Sequence, residues 1–217
     1  MSEKGSGSMK NFEKELFSKH DPKILPILKK SVIGIAGAGG LGSNVAVSLA
    51  RAGIGKLIIA DSDRIEISNL NRQHYFWAQI GKVKVQALLE NLRKINPFSE
   101  YVGLQRKITR KNVKNIFGEA DLLIEAFDRA DQKQMLIETW IAQFPERPVI
   151  AASGLSGFGK NKKIRQRQVG NLYLCGDEES EPEEGISPMA PRVGIVANMQ
   201  ANLAVELIIR SKKKKKD

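Results

Sequence analysis

A glycine-rich turn directly after a short apolar run constrains this chain more than any other feature. Residues 31–36 (SVIGIA) are apolar and partly β-branched, which is typical of a buried strand. Residues 37–42 (GAGGLG) follow at once, and residues 41–52 have helical composition before Gly53. Strand, G-x-G-x-x-G turn and helix together predict a nucleotide site, because the glycines admit phosphate and the helix N-terminus offers free N–H groups. A tight strand–helix turn without a ligand is the alternative.

The rest of the chain alternates between apolar strands and helices as far as residue 152. Further strands are predicted over 57–60, 101–108, 121–127 and 149–152, and further helices over 82–95, 110–118 and 130–144. Residues 162–175 instead alternate in polarity around a possible Gly170-Asn171 hairpin turn, and an apolar helix is predicted over 192–210. The pattern predicts an α/β, Rossmann-like fold with a mostly parallel sheet flanked by helices and antiparallel strands toward the C-terminus.

Length and composition indicate a single domain. The 217 residues suffice for one hydrophobic core, which we place over residues 10–211, between a linker-like or tag-like segment (1–8) and a lysine-rich tail (212–217). No apolar run reaches the roughly 20 residues of a membrane span, and the N-terminus lacks a secretory apolar region. The single cysteine fits a reducing cytoplasm. Although the net charge is +11, the basic residues are scattered, so no nucleic-acid partner is predicted.

Asp61 ends the second predicted strand at the distance from Gly37 that is typical of a ribose-binding acid. To this point an NAD-dependent dehydrogenase explains the sequence as well as an ATP-dependent enzyme does. The next block separates the two. It contains D-x-D at 61–63, S-N-L-x-R-Q at 68–73, G-x-x-K at 81–84 and an aspartate, Asp128, after a later predicted strand. In this order the elements resemble the ThiF/MoeB family of the ubiquitin-activating enzyme superfamily, with the nearest likeness to ThiF-like sulfur carrier protein adenylyltransferases of thiamine biosynthesis.

The resemblance implies an enzyme that binds Mg²⁺ and ATP and adenylates the C-terminal Gly-Gly carboxylate of a small ThiS-like sulfur carrier. It assigns Arg72 and Lys84 to the phosphates and Asp128 to the metal, and these three residues would carry catalysis. Guanidinium, ammonium and carboxylate groups suit those roles because the transition state concentrates negative charge on phosphate oxygens. A loop ion pair with Asp61 or Asp63 is the alternative for Arg72, and a helix N-cap is the alternative for Asp128. The remaining nucleotide-binding residues implied are Gly37, Gly39, Gly40, Gly42, Asp61, Asp63, Asn69 and Gln73.

The chain departs from the family pattern in three respects. It has no C-x-x-C pairs, so no structural zinc is expected. The position of the family's reactive cysteine falls in the acidic stretch 177–185, which we interpret as a mobile loop, and we interpret Cys175 just before it as a packing thiol. A separate protein would therefore supply sulfur. No arginine before Arg51 matches the one that relatives donate across their dimer, so a homodimer is implied by resemblance alone.

Two other function classes compete with adenylation. An NAD-dependent oxidoreductase needs a substrate domain, and none is indicated after residue 152. A noncatalytic subunit predicts loss of Arg72, Lys84 or Asp128, and all three are present. Within the first class, a carrier of a molybdopterin or secondary-metabolite pathway remains an alternative to a thiamine carrier.

Overall fold

The computed structural model describes residues 3–181 and 183–214. The helices are α1 (Glu3–Leu16), α2 (Leu25–Leu28), α3 (Gly40–Ala52), α4 (Lys84–Ile95), α5 (Val113–Phe117), α6 (Ala130–Gln143) and α7 (Ala190–Lys214). The strands are β1 (Val32–Ala36), β2 (Lys56–Asp61), β3 (Glu100–Gln105), β4 (Leu122–Glu125), β5 (Val149–Ala152), β6 (Arg165–Val169) and β7 (Leu172–Gly176). Short 3-10 turns lie at Ile67–Asn69, Trp77–Gln79 and Asn161–Lys163.

The strands form a single seven-stranded sheet in the order β3-β2-β1-β4-β5-β7-β6. All neighbours are parallel except β6, which runs antiparallel to β7 at the edge. The predicted Rossmann-like, mostly parallel sheet is therefore confirmed. The chain leaves β1 toward β2 and β3 on one side and later returns to add β4 and β5 on the other. Such a reversal opens a crevice beyond the carboxyl ends of β1 and β4, where open α/β sheets bind their ligands.

Helices cover both faces of the sheet. Successive side chains of each strand point to opposite faces, so each face packs against its own set of helices. Ile33 and Ile35 of β1 belong to a core shared with α3, α4 and α7. Gly34 points to the opposite face, where a Cβ would lie 2.8 Å from the ring of Phe117 and 2.9 Å from Leu123. The second core, around Phe117 and the fully buried Trp140, packs α5 and α6 on that face. Gly34, which has no side chain, thus leaves room for Phe117 and Leu123 on that face.

Helix α7 packs along α3 and the sheet. Within the described residues, Ala190–Lys212 is the one segment that is long and apolar enough to cross a membrane by length and composition. Its apolar face, which includes Val193, Val196 and Leu203, is buried in the first core. The helix is therefore accounted for as a core helix of an α/β domain.

The hairpin predicted around Gly170-Asn171 is confirmed as β6 and β7. The predicted strand 149–152 coincides with β5. Three predicted elements extend too far: the strand over 101–108 ends at Gln105, the strand over 121–127 ends at Glu125, and the helix over 110–118 covers Val113–Phe117. Propensity alone misplaces such ends because pairing and packing decide where a ladder stops.

The segments set apart at the two ends of the chain both reach into helices. The backbone of residues 3–8, which the sequence led us to set aside, is the first part of α1. The lysine-rich tail begins inside α7, where the Lys212 ammonium group donates to Asp121 Oδ1 at 2.8 Å. Residues 1–2 and 215–217 lie outside the described part of the chain.

Candidate functional site

The glycine-rich turn between β1 and α3 needs glycine at two positions for steric reasons. Gly37 has φ +101°, and a Cβ there would lie 2.7 Å from the Ala126 carbonyl oxygen. At Gly42 a Cβ would lie 1.9 Å from the carbonyl oxygen of Gly37. Gly39 faces open space instead, because only Gln73 Nε2, at 3.9 Å, comes within contact range of its Cβ position. The turn is therefore closed toward β4 and open on the side where the N-terminus of α3 presents its N–H groups.

Asp61, at the end of β2, holds this turn in place. Its Oδ2 accepts the Ala38 N–H at 2.6 Å, and its Oδ1 accepts the Asp63 N–H at 2.7 Å. The Tyr75 hydroxyl donates to the Ala38 carbonyl at 2.7 Å, so the Ala38 backbone is held from both sides. Burial raises the pKa of Asp61 above its ordinary value, and the two N–H donors partly offset that effect. The observed role of Asp61 is to anchor the turn, and a ribose contact stays a prediction.

Residues 72–75 dock on the first turn of α3. Asn44 Nδ2 donates to the Arg72 carbonyl at 3.0 Å, and the His74 N–H donates to Ser43 Oγ at 3.1 Å. The side chain of Arg72 passes over the turn, with Cγ 3.6 Å from the Cβ position of Gly40. In the sequence, only the motif likeness indicated that these groups lie together. The structure shows the hydrogen bonds that hold residues 72–75 against α3.

Within residues 3–181 and 183–214, the Arg72 guanidinium donates only to neutral oxygens. Its Nη1 donates to the Ser68 carbonyl at 3.1 Å and to Asn71 Oδ1 at 2.8 Å. Among the residues that the structure describes, Arg72 forms no ion pair, so the alternative of a loop ion pair with Asp61 or Asp63 is not found. A guanidinium without a carboxylate partner keeps its charge available for an anion.

Lys84, the first residue of α4, meets the second aspartate of the D-x-D element. Its Nζ lies 3.0 Å from Asp63 Oδ2, and its backbone N–H donates to the Asp63 carbonyl at 2.9 Å. The Lys84 side chain is 9% exposed, whereas that of Asp63 is 61% exposed. Two motif elements that are distant in the chain are thus joined at the carboxyl edge of the sheet.

Gln73 and Asn69 lie in the same segment but differ in their partners. Asn69 is buried, and its Oδ1 accepts the Glu66 N–H at 3.1 Å, which closes a 3-10 turn. Gln73 is also buried, and its Oε1 has no hydrogen-bond partner in the described protein. An unpaired buried oxygen costs roughly 1–3 kcal/mol, a cost that a donor from a ligand would remove. The position beside Gly39 makes Gln73 the better supported of the two predicted ligand contacts.

Asp128 follows β4 and is exposed. Ala126 and Phe127, just before it, contact the Cβ position of Gly37 at 2.7 and 3.5 Å. The segment that carries Asp128 therefore lies beside the glycine-rich turn. The N-cap of α6 is Arg129, so the alternative of Asp128 as the helix cap is wrong. In residues 3–181 and 183–214 no group of three His, Cys, Asp or Glu side chains could hold a metal by itself.

Glu125, the last residue of β4, was not singled out from the sequence. It is fully buried, accepts the Phe127 N–H at 2.6 Å and pairs with Lys133 Nζ at 2.9 Å. Lys133 Nζ also donates to the Ala152 carbonyl at 3.2 Å, so the pair ties together the ends of β4 and β5. Burial raises the pKa of Glu125 despite Lys133. The available signal was one acid, Glu125, inside the otherwise apolar residues 122–127 (LLIEAF).

Cys175 lies in β7 and is fully buried. Burial raises the pKa of its thiol to about 12. Because the thiolate is the reactive form, such a cysteine is unsuited to nucleophilic chemistry at neutral pH. The interpretation of Cys175 as a packing thiol agrees with this environment.

Nearly the whole chain is similar in sequence to known proteins. The model of the ThiF family matches residues 15–217, nearly the whole chain. The chain belongs to the ThiF family. Its sequence is 30% identical over 186 residues to the sulfur carrier protein ThiS adenylyltransferase of Escherichia coli, covering 83% of this chain and 73% of that protein. It is 29% identical to the adenylyltransferase and sulfurtransferase uba4 of Emericella nidulans, and it spans only 40% of the length of that relative.

Solved structures confirm the ThiF-family fold of the chain. E. coli tRNA N6-threonylcarbamoyladenosine dehydratase TcdA in complex with AMP superposes with a TM-score of 0.82 at 20% identity, covering 92% of this chain and 94% of that one. E. coli MccB with ATP superposes with a TM-score of 0.66 at 21% identity, covering 85% and 57%. At these identities the likeness establishes the fold and not the reaction.

Proposed function

We propose that this protein is an ATP-dependent adenylyltransferase that activates the C-terminal Gly-Gly carboxylate of a ThiS-like sulfur carrier in thiamine biosynthesis. The observation that carries the proposal is the convergence of an anchored, open phosphate turn with two cations, Arg72 and Lys84, at one edge of the sheet. Membership of the ThiF family and the named activity of the E. coli relative support the choice of acceptor.

In the proposed reaction a carrier carboxylate oxygen attacks the α-phosphorus of ATP. The bond from that phosphorus to the bridging oxygen breaks, and pyrophosphate leaves with the electron pair. Arg72 and Lys84 would stabilise negative charge that grows on the phosphate oxygens, and the N–H groups of α3 would add to this. Lys84 can turn from Asp63 to phosphate at small cost, because the largely exposed Asp63 carboxylate can be solvated instead.

The surrounding residues fit a nucleotide. Gly39 leaves the turn accessible, whereas the Cβ position of Gly40 is packed against Val193 and Arg72. The Gln73 amide lies beside Gly39 and would hydrogen-bond to the ligand there. Mg²⁺ on the triphosphate would neutralise charge on the phosphates. Asp128 would supply one carboxylate to it, with phosphate oxygens and water completing the shell, as is usual for this ion. Asp61 and Asn69 would act by holding the turns that face the nucleotide, in addition to any direct contact.

The buried thiol of Cys175 supports adenylation without a covalent link to the carrier. Sulfur would then come from a separate donor protein. A homodimer and a cytoplasmic location belong to the same proposal. A second candidate is adenylation of a different ubiquitin-like carrier. The fungal relatives support it, because they are named as adenylyltransferase and sulfurtransferase uba4, a name that does not specify ThiS.

ATP–pyrophosphate exchange tests the proposal. Purified protein, Mg²⁺, labelled pyrophosphate and a ThiS-like carrier ending in Gly-Gly should give exchange, and the same carrier without its terminal glycine should give none. Exchange only with another Gly-Gly carrier would keep the chemistry and select the second candidate. No exchange with any such carrier would contradict adenylation, and loss of exchange in Arg72→Ala with an unchanged fold is expected if the site is assigned correctly.

A further inference from the structure

Asp177 and Arg192 form an ion pair inside the protein, close to the proposed site but outside it. Arg192 Nη2 donates to Asp177 Oδ2. The Arg192 side chain is only 3% exposed and the Asp177 side chain only 2%. Arg192 Nη1 donates to the carbonyl of Gly159. One guanidinium at the start of α7 is therefore bonded to two separate loops.

Asp177 organises the acidic segment that follows β7. Its Oδ1 accepts the N–H groups of Glu179 at 3.0 Å and Ser180 at 2.9 Å, and both carboxylate oxygens accept the Ser180 hydroxyl at 2.9 Å. Its own N–H donates to the Gly154 carbonyl at 3.1 Å. The start of the segment that the sequence suggested was a mobile loop is thus built around a buried carboxylate.

The loop after β5 and the segment after β7 are also joined to each other. The Gly157 N–H donates to the Ser187 carbonyl at 3.1 Å, and Gly157 forms a bridge with Pro188. The Glu178 N–H donates to the Ser153 carbonyl at 3.0 Å. We call residues 153–159 and 177–188, apart from residue 182, the paired loops.

The paired loops are connected to the phosphate turn through α7. Val193 follows Arg192 in the helix, and its Cγ1 lies 3.3 Å from the Cβ position of Gly40. The residue that binds both loops is therefore next to a residue that packs on the phosphate turn. A shift of the ion pair would move the loops relative to that turn.

We propose that Asp177 and Arg192 are positioning residues that hold the paired loops in register with the phosphate turn, so that the C-terminal residues of the carrier are aligned with the α-phosphate. This inference rests on the proposed adenylation. Neither residue is exposed enough to touch the carrier or ATP. Burying two charges is costly, and apolar replacements of such pairs are often no less stable, so a defined loop geometry is the gain that accounts for the pair. Misplacement of reacting groups by about 1 Å can cost about 100-fold in rate.

The decisive variant removes both charges. A single Asp177→Asn change leaves Arg192 buried without a counter-charge and can unfold the region. The double variant Asp177→Asn/Arg192→Met avoids this, and the amide oxygen introduced at position 177 can still accept the N–H groups of Glu179 and Ser180. We expect kcat/KM for a ThiS-like carrier to fall about 100-fold, while ATP affinity measured calorimetrically without carrier changes less than about two-fold. Arg192→Lys, which keeps the charge but not the two-sided donation, should lose less than the double variant does.

Lys212→Met is the matched control. It removes the Lys212–Asp121 ion pair at the other end of the same helix, where one partner is 30% and the other 27% exposed. This variant should keep the kcat/KM of the wild type for the carrier. A double variant with wild-type kcat/KM would overturn the inference, and so would a parallel loss of ATP affinity, which indicates a structural role only. Wild-type protein without carrier-dependent exchange would instead overturn the proposed function and the inference together.

Discussion

Replacing Lys84 with methionine separates a catalytic role of this lysine from a structural one. The ion pair with Asp63 spans 3.0 Å, but the Asp63 side chain is 61% exposed. In water-like surroundings a pair at this separation is worth roughly 1 kcal/mol, and measured exposed pairs give about 0.2–1 kcal/mol. Methionine keeps the apolar packing of the buried lysine stem. The free energy of unfolding should therefore fall by about 1 kcal/mol or less.

The effect on the proposed reaction should be much larger. Removing one group aimed at transition-state charge costs about 100- to 1000-fold in rate, or roughly 3–4 kcal/mol. ATP–pyrophosphate exchange measures the activity, and urea unfolding measures the stability. Lys82→Met is the matched control, because Lys82 is a neighbouring cation whose pair with Glu90 is exposed on both sides; it should keep wild-type exchange. An exchange rate within about three-fold of the wild type in Lys84→Met would refute the assignment.

Gly42→Ala should unfold or distort the phosphate turn, since its Cβ would lie 1.9 Å from the Gly37 carbonyl oxygen, and loss of ATP binding by calorimetry would show this. Lys133→Met should cost about 3–5 kcal/mol in urea unfolding at neutral pH by leaving Glu125 buried and unpaired. Because burial raises the pKa of Glu125, the folded state binds the Glu125 proton at higher pH than the unfolded chain does. The loss of unfolding free energy in Lys133→Met should therefore shrink as pH falls. A loss that stays constant with pH would show that Glu125 is not its cause. Cys175→Ala should leave exchange nearly unchanged. Iodoacetamide should label native Cys175 far more slowly than the unfolded thiol at about pH 8, because burial raises the pKa of the native thiol to about 12. Rapid labelling of the native protein would contradict the buried environment of Cys175.

Local patterns predicted the backbone shape of the glycine-rich turn. The turn at 37–42 requires glycine at Gly37 and Gly42, and that requirement is visible as a spacing in the chain. Motif likeness also placed Arg72 and Lys84 near that turn. It did not reveal that Asp61 holds the Ala38 backbone, because a strand-end aspartate looks the same in the sequence whether it binds a ribose or an N–H group.

The partners of buried charges could not be predicted in the same way. Glu125 pairs with Lys133 across a strand and a helix, and Asp177 pairs with Arg192 across an acidic segment that composition alone suggested was mobile. An ionised group is expected at the surface unless a partner is brought to it, and the partner is set by how the elements pack. The charge pairs that shape the edge of the site therefore became visible only in three dimensions.

The amino-acid sequence by itself determined the alternation of strands and helices, the glycine-rich turn and the family, because these depend on local periodicity, on the conformational freedom of glycine and on short ordered motifs. Tertiary structure decided the strand order β3-β2-β1-β4-β5-β7-β6, the contact of Val193 with the phosphate turn and the ion pair between Asp177 and Arg192. These features join residues far apart in the chain, and such contacts form only where the whole sheet and its helices bury their apolar faces together.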